Sequence, residues 1–337
     1  MLILVPHHAE SIAFCESLSK EIQKPLKKTS SYKEALEIFI KDPDSYFFFD
    51  VFHLEAFQEF MKHFGMVIGP NPGQLNQNRL FYIGISLNEE VKKTIHSDWF
   101  GHFIQIKPSH VTSNCNTLAK IIQSTQSENS NLLSTILESN AVVHTQHYAN
   151  ASSKTTILDD VQKFLSQEIG LSHRVLAAIM NATDELVMNA IYDAPLRAGD
   201  IPSVSFEFLN RTPIDVHMGH DSNTVAVTVV DSCGSISRTA LYSHVLQALS
   251  DTKFETLQNS SGTGIGLATT FRCGGSLFYY CNPGKKTQAT VLFKKTHSYK
   301  EFQLQNRFIS TFIQEEDHSF LPKNTARKAA PIGLENK

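Results

Sequence analysis

Ser261-Gly262-Thr263-Gly264-Ile265-Gly266-Leu267-Ala268 sets three glycines at alternate positions, with a helical pattern beginning just after. Glycines so spaced let the backbone approach a ligand closely, and the amides and dipole of a helix start favour phosphate. The spacing is GxGxG, not GxGxxG, and no βαβ unit opens at it, so it is not a dinucleotide fingerprint. No Gly-Lys-Ser/Thr follows, so it is not a P-loop either. Two stretches upstream belong with it. In Asp184-Glu185-Leu186-Val187-Met188-Asn189-Ala190, within a helical pattern running from Ser172 to about Tyr192, Glu185 and Asn189 are four apart and share a face. A carboxylate beside a carboxamide can hold a water and a magnesium ion, which takes a few oxygen ligands plus waters and substrate phosphates. In Val227–Ile236 an apolar strand delivers Asp231 into a tight turn, Ser232-Cys233-Gly234-Ser235. A carboxylate buried at a strand end can accept a hydrogen bond from an adenine amino group.

About 40 residues separate Asn189 from Asp231, and about 30 separate Asp231 from Gly262. In this order and spacing the three stretches resemble the N, G1 and G2 boxes of the GHKL ATPases. That superfamily includes gyrase, the heat-shock chaperone ATPase domain, histidine kinases and MutL. The resemblance covers about residues 141–295 and implies an α+β sandwich, the Bergerat fold, that binds ATP and Mg2+. It implies that Asn189 ligates magnesium and that Glu185 is the catalytic residue, orienting or deprotonating the attacking hydroxyl or water. It further implies that Asp231 and Gly234 belong to the adenine pocket, supported by Thr287. Gly262, Thr263, Gly264, Ile265, Gly266 and Leu267 would wrap the phosphates, with residues 237–261 as a lid. The family's Asp-x-Gly-x-Gly appears here as Asp231-Ser232-Cys233-Gly234-Ser235, and Asp193 stands where a His or Lys is usual.

The order of strand (141–148), helix, and helix bearing the first box is similar to the anti-sigma-factor serine kinases. Only about 35 residues separate that strand from the first box, too few for a phosphoacceptor helix hairpin. The implied function is a signalling regulator that phosphorylates serine or threonine on an anti-anti-sigma-like or sigma-factor-like partner. Two alternatives stand beside it: an ATP-gated protein-binding module with little or no catalytic turnover, and a histidine-kinase-like protein. His144, His147 and His173 have no phosphoacceptor context.

The first 122 residues alternate short apolar runs with helical patterns. Leu2–Val5, Tyr46–Phe49, Leu80–Ile85 and Phe103–Ile106 are apolar on both faces, the mark of a buried parallel sheet between helices. The expectation is a doubly wound five-stranded α/β domain. It resembles response-regulator receiver domains. Asp50 ends the third strand at the phosphoacceptor position, Ser86 closes the fourth, and Lys107-Pro108 follows the fifth. The acidic pair that holds magnesium after the first strand is replaced by Pro6, His7 and His8. A phosphoryl group beside Asp50 would lack its neutralising cation, so the resemblance implies a pseudo-receiver that docks or dimerises.

The domains therefore read as 1–122 receiver-like, 123–140 linker, 141–297 ATP-binding, and 298–337 a partly disordered tail. A short helix over 131–139 sits within the linker. Of 337 residues, 41% are hydrophobic and 19% charged, a globular composition. Thirty Lys+Arg against 33 Asp+Glu give a net charge of −3, which argues against a dedicated nucleic-acid binder. Five cysteines, odd in number and without a CxxC pair, argue against a disulfide framework and for a reducing cytoplasm. No apolar run approaches the roughly 18 residues of a membrane span. MLILVPHHAE at the start reads as a first strand rather than a signal peptide.

Overall fold

The computed structural model describes residues 1–42, 44–50, 76–84, 101–124, 132–149, 154–198, 213–238, 241–242, 271 and 275–314, with single positions at 55, 58 and 62. In the N-terminal half, Leu2–Val5 is β1, Leu26–Lys28 β2, Tyr46–Asp50 β3, Leu80–Gly84 β4 and His102–Gln105 β5. All pair in parallel, in the order β2-β1-β3-β4-β5, a doubly wound arrangement. β1, β3 and β4 are buried throughout because helices cover both faces. Helices α1 (Ala9–Ile22) and α3 (Cys115–Ser124) pack on one face, and α2 (Tyr32–Lys41) on the other. β2 has no apolar run to announce it: Leu-Lys-Lys is a short edge strand whose lysines face water.

The C-terminal half begins with α4 (Leu132–Ile136) and β6 (Val142–Tyr148). It continues through α5 (Lys154–Phe164), α6 (His173–Met188), α7 (Ala194–Ala198), β7 (Ile214–His220) and β8 (Thr224–Asp231). It closes with β9 (Ser276–Asn282), β10 (Lys286–Lys294), α8 (Tyr299–Gln303) and β11 (Arg307–Ile313). Gly170, at φ 64, ends the turn after α5 in the left-handed conformation that glycine adopts without strain. The strand-like run Val204–Leu209 lies outside the described residues. β7 is absent from the sequence reading, although its alternation of buried Ile214, Val216 and Met218 with half-exposed Asp215 and His217 is strand-like.

Two expectations are corrected. Residues 298–337 are expected as a partly disordered tail outside the domains; within it α8 and β11 are built over 299–313, and six of the seven residues of β11 are buried, while 315–337 lie outside the described residues. The physical reason is a vacancy between two strand edges, which expose unpaired backbone groups unless filled. β11 pairs antiparallel with β5 and parallel with β9. Among the described residues it thereby joins the two halves into one eleven-stranded sheet, β2-β1-β3-β4-β5-β11-β9-β10-β8-β7-β6. The expected linker also packs: Leu133, Ile136 and Leu137 are buried. Gly219 on β7 lies against this segment: a Cβ there would come within 2.7 Å of the tip of the Leu137 side chain.

The chain is thus a mixed α/β protein with one large mixed sheet and helices on both faces. Its two apolar clusters lie on opposite faces, and each spans both halves. Phe103 meets Phe271 at 6.0 Å on one face, and Phe278 meets Phe312 at 5.6 Å on the other. No described helix is long and apolar enough to cross a membrane.

Candidate functional site

α6 carries Glu185, and the helix widens into a π turn over Asn189–Asp193 before α7 resumes. Pro195 explains the widening. It has no N–H for the carbonyl of Ile191, and its ring would clash with that carbonyl in a regular helix. π turns of this kind occur often at functional sites. α6 packs across β8 and β10 and its π turn across β8; the far end of the π turn is tied to the Asp231 turn through Ser235 and Ala194, and Glu185 is felt by Tyr279 on β9.

Asp231 closes β8 and is only 6% exposed. Its Oδ1 accepts the backbone N–H groups of Cys233 at 2.8 Å and Gly234 at 3.3 Å. Burial holds its pKa above the ordinary carboxylate range, against a smaller opposing pull from the two amides, Arg197 and the Thr287 side chain. Thr287 sits directly across from Asp231 in the β10–β8 register. Gly234 has φ 58, and a Cβ there would lie 2.2 Å from the Asn282 carbonyl oxygen. Its carbonyl accepts the Gly284 N–H at 3.1 Å, which hooks the turn onto the β9–β10 hairpin. Ser235 Oγ donates to the Ala194 carbonyl at 2.8 Å and fastens the same turn to the end of the π segment.

The Glu185 carboxyl is pushed up to about 7, first by burial and then by the negative charges of Asp193 and Asp184. Lys154, which pairs with Asp184 at 2.6 Å, and the Asn189 side chain act in the opposite direction. Glu185 Oε1 is buried and accepts no hydrogen bond among the described residues. The Tyr279 hydroxyl is likewise buried without a partner there, and it feels the Glu185 charge. An acceptor and a donor left open in one region suit a polar ligand or ordered water. Among the described residues no group of three or more His, Cys, Asp or Glu could hold a metal unaided. A magnesium ion here would need ligand phosphates and waters to complete its shell, which is its usual habit.

The structure thus brings Glu185, Asn189, Asp231, Gly234 and Thr287 to one end of the sheet. Gly262, Thr263, Gly264, Ile265, Gly266 and Leu267 lie outside the described residues, as does most of 237–261. Pro195, Arg197 and Tyr279 also belong to this site, and no box motif marks them. Pro195 could have been found as a helix breaker just after Asp193.

In the N-terminal half Asp50 is fully buried. Its Oδ2 accepts the N–H groups of His7 at 3.1 Å and His8 at 3.0 Å, and His8 Nδ1 lies 3.4 Å from Oδ1. His7 and His8 therefore cap the carboxylate with their backbone. The Lys107 N–H donates to Asn306 Oδ1 at 2.7 Å, and burial, then Arg307, lower the pKa of its ammonium. Ser86 lies outside the described residues. Compared with known proteins, no family model matches the chain and no curated protein does.

Proposed function

We propose that residues 141–297 bind MgATP in a Bergerat-type pocket and that the chain is a signalling regulator. It acts as an anti-sigma-like serine/threonine protein kinase on a partner protein. The observation that carries this reading is the pairing of a buried, open Glu185 Oε1 with Asn189 one helical turn away, beside the Asp231–Thr287 pair. In it, Asn189 holds magnesium, Asp231 takes the adenine amino group, and the alternating glycines 262, 264 and 266 hold phosphate. Glu185 orients or deprotonates the attacking hydroxyl, and a carboxyl near neutral pKa suits a base at cellular pH. MgATP supplies the activated phosphoryl group, so the protein has mainly to position and to neutralise charge. The N-terminal half serves as a pseudo-receiver. Asp50 already serves His7 and His8, which supports docking or self-association over phosphorylation.

A second reading, an ATP-gated binding module, is favoured by one feature. Asp231 Oδ1 already accepts two amides of its own turn. Phosphate release and transfer from γ-labelled ATP separate the two. The kinase reading expects turnover that Glu185→Ala abolishes while MgATP binding survives. Binding without turnover in the wild type contradicts it and leaves the gated module.

A further inference from the structure

The Asp231 turn does not end at the candidate site. Within seven residues the chain reaches the N-terminal half. Arg238 Nη1 donates to Gln77 Oε1 at 2.6 Å, and Nη2 donates to Asn78 Oδ1 and, at 3.5 Å, to the Thr311 carbonyl on β11. Asn78 also pairs with the end of β11. It donates through Nδ2 to the Ile313 carbonyl at 2.8 Å and accepts the Ile313 N–H at 3.0 Å. Tyr242 is buried, and its hydroxyl lies 2.6 Å from the Gly101 carbonyl oxygen and 3.0 Å from that of Ile309. Gly101 is itself closely packed: a Cβ there would lie 2.4 Å from the Gln77 carbonyl oxygen.

A guanidinium is a planar fork, and one held by acceptors on two elements has little freedom to turn. Ser235, three residues earlier, is fastened to Ala194. A displacement of Gln77 and Asn78 is therefore delivered through a short, pinned stretch to the Cys233 and Gly234 amides that hold Asp231.

We infer that residues 235–238, together with Tyr242, form a strut through which the N-terminal half sets the conformation of the Asp231 turn and regulates the site built on it. The strut stands on contacts that do not involve nucleotide; only its consequence for MgATP rests on the proposed function.

Residue-resolved hydrogen exchange on the full chain without nucleotide tests it. Arg238→Ala is expected to speed exchange at Cys233 and Gly234 about tenfold, the scale of one lost hydrogen bond, with α2 amides unchanged. Because coupling is reciprocal, Ser235→Ala is expected to speed exchange at Asn78 and Arg79. Arg238→Lys keeps the charge without the fork; it guards against global unfolding and is expected to give a smaller rise at the same amides. If both Arg238 variants speed only Asn78 and Arg79 and leave Cys233 and Gly234 unchanged, the strut is overturned. With MgATP, Arg238→Ala is expected to weaken binding about fivefold. Unchanged affinity overturns the regulatory role, whereas no binding by the wild type overturns the nucleotide reading and leaves the exchange result standing.

Discussion

Glu185→Gln is expected to stabilise the metal-free protein, and only above a defined pH. The carboxyl sits at about 7 in the folded chain against an ordinary 4.5. The folded state therefore holds the proton more tightly than the unfolded state does. Below pH 4.5 both states are protonated and the charge costs nothing. As pH rises from 4.5 towards 7 the unfolded chain ionises first, and the folded state falls behind until its own carboxyl ionises. Over that window the full shift corresponds to about 3 kcal/mol. The side chain keeps partial contact with water, which trims the figure to about 2 kcal/mol. Glutamine carries no charge to desolvate and no repulsion from Asp193 or Asp184. Urea denaturation in the presence of a chelator at pH 4 and pH 8, on both proteins, reads the effect. The variant should match the wild type at pH 4 and exceed it by about 2 kcal/mol at pH 8. A difference that is the same at both pH values, or a variant less stable at pH 8, would refute the assignment of a strained carboxylate at this position. Sites that give up stability in this way are commonly those kept for chemistry.

Three further outcomes are expected. Ending the chain after Gln305 removes Phe308, Ile309 and Phe312 and reopens the β5 and β9 edges. At about 2 kcal/mol for each side chain the loss rivals the stability of a whole domain, so the truncated chain should aggregate or lose cooperative unfolding; a soluble product with an unchanged urea midpoint would contradict this. Gly234→Ala places a methyl 2.2 Å from the Asn282 carbonyl oxygen at φ 58 and should cost at least about 2 kcal/mol, read as a lower urea midpoint. Acetyl phosphate should leave the intact mass unchanged, because Asp50 is buried and its Oδ2 is taken by two amides; an added phosphate would overturn the pseudo-receiver reading.

Much of the sheet was legible because period and burial agree. Tyr46–Asp50 and Leu80–Gly84 are apolar on both faces and became central parallel strands. β2 was illegible because a three-residue edge strand needs no apolar run. β11 was missed for a different reason. Phe308, Ile309 and Phe312 sit in a segment of mixed charge, and their need for burial arises only from two edges distant in the chain, β5 and β9. The spacing of Glu185 and Asn189 and the position of Asp231 at a strand end were readable locally. That Thr287 supports Asp231 is what the resemblance implies; the β10–β8 register sets the two residues opposite each other. The π turn at Asn189 and the bond from Ser235 to Ala194 depend on Pro195 and on tertiary packing, which a box motif does not encode.

The central claim is a nucleotide pocket at the Asp231 end of the sheet. Calorimetric titration of MgATP and MgADP into the full chain, with Asp231→Asn as control, tests it most directly. The account predicts saturable binding by the wild type that the variant loses while keeping its fold. Absence of binding by the wild type, or equal binding by the variant, would contradict it.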